Sequence, residues 1–325
     1  MVDHQDPGTA VIVIQATVIV TIAALIISSN LLNIAVLSRN KILSIGGRCF
    51  MMSLAAADLL VGLLLSTTLV GCVTRKDLIA FAFPGCFFLG SLSHIAYSAS
   101  SIALALIAVD RYLSIERPIQ YINTVTKSRV VIVTIVAWTV LTFYAIAVGL
   151  IEKDFHGYNP DVFMCIPKYA ERYVAIFSGT AFVMIPFGAM IFAYTRILVI
   201  ARNRRRRIGI QQQGGSSSQN LSDMKAVKMF LAITAAFFLA WTPYGTLQMY
   251  FFISGKNDEV VPQWLGLCVT WILSANSFWN VIIYSAMNRS FRRAAFAVLE
   301  KLPCFGKKTP VENITINTVE SATDI

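Results

Sequence analysis

Three consecutive residues, Asp110, Arg111 and Tyr112, place an acid, a base and a phenol at the end of an apolar run. The run from Cys86 to Val109 contains no Asp, Glu, Lys or Arg, so the charges begin abruptly. A carboxylate and a guanidinium form a strong pair where water is partly excluded. Two interpretations fit: charges that anchor a membrane helix at the headgroups, or a switch in which this pair is made and broken.

A second group of polar residues lies inside apolar runs, where charged side chains are costly and usually functional. Asp58 is near the middle of its run, and five neutral side chains lie at comparable depth in other runs: Asn30, Ser100, Asn276, Ser277 and Asn280. Hard cations take oxygen ligands, so one carboxylate with several neutral oxygens suits a small cation. A structural hydrogen bond between helices fits the same residues.

The remaining chemistry-bearing residues form no catalytic or metal-binding pattern in the sequence. The three histidines, His4, His94 and His156, are scattered, and no Ser/His/Asp or Glu/His grouping can be assembled. None of the six cysteines has metal-ligand spacing. The sequence therefore predicts that the protein is not an enzyme and carries no covalent cofactor.

The composition indicates that membrane-spanning helices position these residues. Of 325 residues, 56% are hydrophobic and 14% are charged, with a mean hydropathy of +0.67, whereas soluble domains carry about 25% charged residues. A membrane helix needs about 20 apolar residues. The predicted fold class is an all-α membrane protein, a seven-transmembrane helix bundle, with its spans at 11–37, 50–74, 79–109, 130–151, 173–200, 226–254 and 261–287.

The basic residues predict the orientation of that bundle. With the N-terminus outside, most of the 27 Lys and Arg residues fall on the inner side, as the positive-inside rule requires. The net charge is +10, but nucleic-acid binding would need basic residues clustered on a soluble face. We therefore predict a multi-pass plasma-membrane protein with an extracellular N-terminus and no nucleic-acid partner. The six basic residues left outside are Arg75, Lys76, Lys153, Lys168, Arg172 and Lys256.

The predicted segments outside the spans are short. In order, an extracellular tail, the bundle, an amphipathic eighth helix on the inner membrane surface and a cytoplasmic tail occupy 1–10, 11–287, 288–303 and 304–325. The stretch 202–223 is basic, then rich in Gln, Gly and Ser, which predicts a flexible cytoplasmic loop. Cys304 would lie at the headgroups, as an S-palmitoylation site or as a free structural cysteine.

Two cysteines are predicted to pair on the outer side. Cys86 opens the third run at its outer end, and Cys165 lies in the second outer loop. Disulfides form in oxidising compartments, which both positions face in this topology. A disulfide between them would tie the loop to the bundle.

The motifs, taken in order, resemble those of the rhodopsin-like (class A) G-protein-coupled receptors. One motif per run in this order is specific, although each alone is weak, and the match covers almost the whole chain. The matching residues are Asn30, LAAAD (54–58), DRYLSIERPIQY (110–121), Trp138, Pro186 with Tyr194, AWTPY (240–244) and NVIIY (280–284). The sequence departs from the pattern at Ser29, Ser101, Ala240 and Val281.

The resemblance implies a switch at the inner end of the bundle. In the family, the arginine matched by Arg111 is held by its neighbouring acid, here Asp110, and often by an acid at the base of the sixth helix, where Asp223 stands. Release would let Arg111 face a heterotrimeric G protein. Arrestin and membrane lipid are further expected partners. The other switch residues are Tyr112, Ile119 (for insertion into the G protein), Tyr194, Asn280 and Tyr284.

The resemblance also favours a cation at Asp58, since Asp58, Ser100, Asn276 and Asn280 match the family's sodium-site positions. Val281 stands where the family has a proline that kinks the seventh helix. Ser101 replaces a bulky apolar residue, which implies a looser relay and higher basal activity.

The expected ligand is a small molecule bound in the outer half of the bundle. Ser93 stands seven residues after Cys86, where amine receptors carry an aspartate, so a monoamine is disfavoured. No lysine lies between Lys256 and Lys301, which excludes covalent retinal. A mostly aromatic pocket with a few neutral polar groups suits a small molecule. Its predicted residues are Ser93, His94, Tyr97, Ser178, Phe182, Trp241, Tyr244, Gln248, Thr270 and Ser274.

Other functions fit the sequence less well. Within the family, the alternatives are a peptide receptor and a constitutively active orphan receptor. The stretches LAAADLLVG and NSFWNVIIYSAMNRSFR lean toward the adenosine, lipid and melanocortin branch. A channel or transporter would need a polar pathway or an internal repeat, whereas these polar residues cluster at one depth.

Overall fold

The computed structural model describes residues 9–39, 44–74, 85–151, 156–159, 161–167, 172–210, 217–254 and 261–301. Within these ranges the backbone alone is described at 74, 151, 156–157, 166–167, 204–210 and 217–227. Two residues with predicted functions are affected. Only the backbone of Asp223 is described, and Cys304 lies outside the described residues.

Ten α-helices and one π-helical turn, Thr180–Met184, form in the described ranges. Seven spans are long and apolar enough to cross a membrane, with α6, the π turn and α7 making one of them. The predicted seven-helix bundle is confirmed. The helices are α1 Thr9–Arg39, α2 Ile45–Thr74, α3 Gly85–Glu116, α4 Pro118–Thr124, α5 Lys127–Ile151, α6 Arg172–Gly179, α7 Ile185–Ile210, α8 Ser217–Ser254, α9 Gln263–Met287 and α10 Arg289–Leu299.

Helix α3 is the most buried of the spanning helices and α5 the least. Helix α3 packs against α2, α5 and α7. Helix α1 packs against α2 and α9, and α8 packs against α9. Small side chains at an interface allow membrane helices to approach closely. On α3 these are Ala96, Ala99, Ala103 and Ala108, all buried.

The fifth span contains the π-helical turn just before Pro186. Proline has no backbone N–H, so the carbonyl of Phe182, one turn earlier, lacks its usual helical donor. A π turn adds a residue to the helix and is frequent at functional sites. It leaves Phe182 buried. Helix α8, by contrast, continues through Pro243 to Ser254.

The helices extend into the segment predicted as a flexible loop at 202–223. Helix α7 continues to Ile210 and α8 begins at Ser217, so the prediction was wrong on both sides of 211–216. Extending an existing helix is much easier than nucleating one, and Arg and Gln are good helix formers. Composition alone therefore overestimated the length of the loop.

The amphipathic helix predicted at 288–303 forms over the shorter range of α10. Asn288 caps it by accepting a hydrogen bond of 3.0 Å from the Phe291 amide. Phe291 and Ala295 are buried, while Arg292 donates to the Ser285 carbonyl at 3.1 Å. The helix is thereby fixed against the end of α9.

The second outer loop adds a β-hairpin to the otherwise all-α fold. Strand β1, His156–Asn159, pairs antiparallel with β2, Met164–Pro167. Cys165 forms a disulfide with Cys86 at the start of α3, with their Cα atoms 5.3 Å apart. The predicted disulfide is confirmed.

Phe163, in the turn of this hairpin, points into the bundle. Its φ of 56° lies in the left-handed region, which is uncommon for a bulky residue. It is 2% exposed. A Cβ on Gly71 would lie 3.3 Å from Phe163 Cβ, so glycine there permits the close approach of the hairpin to α2. The buried apolar cluster that contains Phe163 draws on α1, α2, α3 and α9 and includes Ile19, Val61, Leu64, Ala96 and Leu267.

Candidate functional site

Asp110 and Arg111 form an ion pair at the inner end of α3. Arg111 Nε donates to Asp110 Oδ2 at 3.0 Å, and Nη2 contacts the same oxygen. The Asp110 side chain is 1% exposed and that of Arg111 is 12% exposed. Tyr121 of α4 donates to Asp110 Oδ1 at 2.7 Å. Burial raises the pKa of Tyr121 to about 12, so this phenol remains a donor at neutral pH.

Arg111 has two further partners on other helices. Its Nη2 donates to the hydroxyl of Ser44, the residue that precedes α2. Its guanidinium carbon lies 5.5 Å from the ring centroid of Phe230 on α8, within the range of a cation–π contact. The arginine therefore joins α3 to the start of α2 and to α8.

Two glycines at the start of α2 make room for the ion pair. A Cβ on Gly46 would lie 2.1 Å from Asp110 Oδ1, and one on Gly47 would lie 2.8 Å from Arg111 Nη2. Real Cβ atoms do not approach other atoms this closely, so any larger residue would displace the acid or the base.

The predicted clamp between Arg111 and Asp223 stays a prediction. The backbone of Asp223 lies in α8, but its side chain is outside the described part of the chain. Among the described side chains, the contact of Arg111 with α8 is made by Phe230.

Tyr112 belongs to a different contact, between α3 and α7. It hydrogen-bonds Glu116, and its ring meets that of Phe192 edge-on at 5.7 Å. Arg196 Nη2 lies 3.1 Å from Glu116 Oε1, with the two side chains 49% and 22% exposed. Exposed ion pairs contribute little to stability, so this one positions α7 only weakly.

The other predicted switch residues divide between core and surface. Tyr194 and Tyr284 are 5% and 1% exposed. Tyr194 hydrogen-bonds Thr234 of α8, whereas the hydroxyl of Tyr284 has no hydrogen-bond partner among the described residues. Ile119 of α4 is 81% exposed. The tyrosines are thus packed inside the bundle, and Ile119 is available to a partner.

Three of the four residues predicted to hold sodium are joined by hydrogen bonds in the middle of the bundle, and the fourth, Asn276, is buried one helical turn before Asn280. Asp58 Oδ1 accepts a hydrogen bond of 2.9 Å from the Ser100 hydroxyl, and Oδ2 accepts one of 2.9 Å from Asn280 Nδ2. Asn276 Oδ1 is buried without a partner among the described residues. Ser277, which the sequence placed at the same depth, also hydrogen-bonds Asp58.

This cluster has the oxygen atoms that a small cation requires. The carboxylate of Asp58, two serine hydroxyls and the unpartnered oxygen of Asn276 suit a hard ion. Asn280 departs from the prediction, because it donates its amide N–H to the carboxylate and does not offer an oxygen. The carboxylate is fully buried and needs a proton or a cation to offset the cost of its charge.

The predicted ligand residues form two groups in the outer half. In the first, the hydroxyls of Tyr97 and Ser274 lie 2.9 Å apart and join α3 to α9. The Tyr97 ring meets Trp241 edge-on at 6.2 Å, and Trp241 meets Tyr244 at 6.3 Å. This group therefore combines three aromatic rings with the paired hydroxyls of Tyr97 and Ser274.

In the second group, His94 of α3 packs against aromatic rings of α5 and of the π-helical turn. Its ring lies 5.5 Å from those of Phe182 and Tyr144, and the hydroxyls of Tyr144 and Ser178 are hydrogen-bonded. His94 Nε2 is buried without a hydrogen-bond partner among the described residues. Sequence reasoning missed Tyr144, which has no signal beyond its place in an apolar run.

Three predicted pocket residues lie apart from these groups. Ser93 donates to the Leu89 carbonyl at 3.0 Å and borders a cavity of about 10 Å³ beside Cys165, enough for at most one water. Gln248 is exposed and Thr270 is half-buried. Within the described part of the chain, no hydrogen bond or ring contact joins Gln248 or Thr270 to the other predicted pocket residues.

A row of aromatic rings on α8 connects the outer and inner halves. Trp241 lies 5.3 Å from Phe237, and Phe187 of α7 lies 5.4 Å from Phe237. Phe230, seven residues before Phe237, covers Arg111. Residues 230, 237 and 241 recur at helical spacing, so they face the bundle together. The ring contacts of Trp241 and the contact of Phe230 with Arg111 therefore lie on one continuous helix.

The comparison with known families decides what this arrangement belongs to. The family model described as "7 transmembrane receptor (rhodopsin family)" matches residues 29–284, most of the chain. The chain belongs to the rhodopsin family of seven-transmembrane receptors. It is therefore a multi-pass membrane receptor of a G-protein-coupled family, and that family is not enzymatic.

Curated relatives of this receptor are named for amine ligands. It is 30% identical to the histamine H2 receptor of Rattus norvegicus over 282 residues, 86% of this chain and 77% of the relative. It is 28% identical to the 5-hydroxytryptamine receptor 4 of Homo sapiens over an alignment of 344 positions, which covers 95% of this chain and 87% of the relative. These relatives point away from the adenosine, lipid and melanocortin branch.

Several contacts of the receptor had weak signals in the sequence. Tyr121 closes the matched stretch after Asp110, but nothing in its spacing showed that it would fold back onto the acid. Ser44 has the residue type of a helix cap, which does not indicate a contact with Arg111. Phe230 is one of many aromatic residues in its run.

Proposed function

We propose that this receptor lies in the plasma membrane with its N-terminus outside, binds an extracellular small molecule and activates heterotrimeric G proteins through Arg111. The single observation that carries the proposal is the nearly buried Arg111, held by Asp110 at the inner end of the bundle. Removing two charges from water is costly, and this cost offsets much of the attraction within a buried ion pair. The pair therefore contributes little net stability, and an arrangement in which the arginine faces a partner is energetically accessible. The exposed Ile119 supplies an apolar contact beside it.

The row of rings on α8 supports a mechanism for transmission. A ligand that fits one arrangement of Trp241 better than another shifts the equilibrium by its difference in affinity. Because Phe230 is on the same helix as Trp241, a shift of α8 changes the contact over Arg111. Ligand and G protein then act on the position of the same helix, α8, from the outer and the inner side. Binding of one therefore changes the affinity for the other, and by the same factor in both directions.

The outer half of the bundle favours an uncharged ligand. The carboxylates on the described spanning segments are Asp58, Asp110 and Glu116, and none of them lies in the outer half. The groups facing the rings are neutral, His94 Nε2 and the hydroxyls of Tyr97 and Ser274. A small molecule with an aromatic or apolar body and one or two hydrogen-bonding groups matches such a site.

The ligand is therefore expected to differ from those that the named relatives indicate. Histamine and 5-hydroxytryptamine are cationic at neutral pH, and a buried cation without a counter-ion is strongly disfavoured. Ser93 cannot supply that charge. We expect both amines to leave nucleotide exchange by the receptor unchanged, and Ser93→Asp to create a measurable response to at least one of them.

Sodium is the proposed ion at Asp58. Asp58, Ser100, Ser277 and Asn276 would hold it, while Asn280 keeps the carboxylate in place. The ion would stabilise the arrangement in which α2, α3 and α9 are drawn together around the carboxylate. The receptor would then be less active at higher sodium concentration.

Further partners are proposed at the inner membrane surface. Helix α10 exposes Arg289 and Phe296 beside its buried face, which suits anionic lipid headgroups and acyl chains together. Palmitoylation of Cys304 would anchor the segment after α10. Arrestin is proposed to bind the same inner surface as the G protein.

Nucleotide exchange tests the proposed function directly. The purified receptor would be mixed with a panel of G-protein α subunits, with and without a library of neutral small molecules. We expect the receptor to accelerate exchange on at least one subunit and Arg111→Ala to abolish that acceleration. Exchange that is equal with the receptor and with Arg111→Ala on every subunit would refute the proposal.

A further inference from the structure

Ser44 lies where three elements meet at the inner face of the bundle. It precedes α2, its hydroxyl accepts a hydrogen bond from Arg111 Nη2, and it accepts another of 3.2 Å from the Gly47 amide. Tyr121 of α4 holds the other oxygen of the Asp110 carboxylate. The serine is thus bonded to the guanidinium with which Asp110 is paired.

We propose that Ser44 is a positioning residue that holds Arg111 toward α2 and away from the G protein. The inference rests on the proposed role of Arg111 in coupling. It means that activation requires the arginine to leave Ser44, just before α2, as well as Asp110 on its own helix.

The geometry of the guanidinium explains why a second partner matters. Arg111 Nε and Nη2 both contact the single oxygen Oδ2 of Asp110, which leaves the plane of the guanidinium free to turn about that oxygen. The bond from Nη2 to Ser44 fixes this rotation, and Phe230 covers one face. A bidentate pair would have fixed the plane without help.

The start of α2 is shaped for this contact. Gly47 leaves space beside Arg111 Nη2, where a Cβ would lie 2.8 Å away, and Gly46 leaves space beside Asp110. Any larger side chain at either position would separate α2 from the ion pair. The sequence SIGG (44–47) therefore supplies both the hydroxyl and the clearance that it needs.

A purely structural role would make different predictions. Ser44 also caps α2 through the Gly47 amide, and such a cap stabilises the helix in every state of the receptor. Loss of the cap alone would lower thermal stability and leave basal nucleotide exchange unchanged. Loss of the bond to Arg111 would change the ratio of the states, and so basal exchange.

The experiment compares four variants of the full chain in lipid nanodiscs. Basal exchange on the most responsive α subunit is measured for the parent, Ser44→Ala, Ser44→Gly and Ser44→Thr, with Ser38→Ala as a control on the exposed end of α1. Glycine is a tolerated cap without a hydroxyl, and threonine keeps the hydroxyl. We expect Ala and Gly to raise basal exchange about two- to tenfold, and Thr and the control to match the parent.

A thermal-stability cycle tests the contact without any G protein. The melting temperature is measured for the parent, Ser44→Ala, Arg111→Ala and the double variant. We expect the two effects to be non-additive, because each single substitution removes the same bond. Additive effects would overturn the proposal, as would parental basal exchange in both Ser44→Ala and Ser44→Gly.

The outcomes separate this inference from the proposed function. If Arg111→Ala abolishes exchange while the Ser44 variants match the parent, coupling through Arg111 stands and the serine proposal fails. If the parent accelerates exchange on no subunit, the proposed function fails, and the stability cycle alone decides whether Ser44 positions the arginine.

Discussion

Asn280 Nδ2 donates a 2.9 Å hydrogen bond to Asp58 Oδ2, which joins α9 to α2 at the middle of the bundle. Asn30 of α1 adds to this junction by donating to the Ser277 carbonyl at 2.9 Å. The deepest polar residues therefore tie three helices together beside one carboxylate. Any change of charge at Asp58 acts on all of them.

Asp58→Asn should abolish the effect of sodium on the receptor. Asparagine keeps the size of the side chain but removes the charge that a cation needs. We expect sodium, compared with potassium at equal ionic strength, to lower basal nucleotide exchange in the parent and not in the variant. Thr68→Val, a buried change further out on α2, serves as the control. An unaltered sodium response in Asp58→Asn would sink the sodium proposal.

Asp223→Ala should raise basal nucleotide exchange if this acid restrains Arg111. Losing about 1–2 kcal/mol of preference for the inactive state changes a two-state ratio roughly 5- to 30-fold. The comparison is Glu300→Ala, which removes an acid just after α10. Basal exchange at or below the parental rate, in an Asp223→Ala receptor that melts normally, would contradict the clamp.

Gly46→Ala should disturb the ion pair without touching a charge. The added methyl group would overlap Asp110 Oδ1, so the carboxylate must move and weaken its bonds to Tyr121 and Arg111. We expect the receptor to lose about 1–3 kcal/mol of stability and to show higher basal exchange.

The matched control for that variant is Gly188→Ala in α7. A Cβ on Gly188 meets nothing within 4 Å, and alanine is favoured over glycine inside helices by about 0.5–1 kcal/mol. Gly188→Ala should therefore melt at the parental temperature or above it. Equal losses in both variants would show that the clearance beside Asp110 is unimportant.

Phe163→Ala should destabilise the receptor through the outer half of the bundle. Removing a buried phenylalanine ring costs about 3–5 kcal/mol, and Phe163 is 2% exposed between α1, α2, α3 and α9. The melting temperature should fall well below that of Phe88→Ala, whose ring is 62% exposed on α3. Similar melting temperatures would mean that the hairpin contributes little to the bundle.

The sequence predicted the bundle well because length and hydropathy are properties of single helices. Seven apolar runs, the disulfide of Cys86 with Cys165 and the cluster around Asp58 were all indicated before any contact was known. The prediction of a flexible loop over the whole of 202–223 was wrong, because composition does not reveal how far a helix continues beyond the membrane.

The contacts of Arg111 were harder to predict for a physical reason. Asp110 is its neighbour in sequence, but Ser44 and Phe230 reach it only through the packing of α2 and α8 against α3. Serine, glycine and phenylalanine are common residue types with many roles, so their spacing does not specify a partner. The contact between His94 and Tyr144 likewise depends on the packing of α3 against α5, which their spacing in the sequence does not specify.

Val281 leaves α9 a continuous helix without a proline kink. A valine keeps the backbone N–H that proline lacks, and α9 runs unbroken from Gln263 to Met287. Hydrogen bonds from Asn30 to the Ser277 carbonyl and from Asn280 to Asp58 hold the middle of the helix. At 1.5 Å per residue, Ser274 lies roughly 5 Å on one side of Ser277 and Tyr284 roughly 6 Å beyond Asn280 on the other. Because the helix is continuous, a displacement of Ser274 would be passed along the helix to Tyr284.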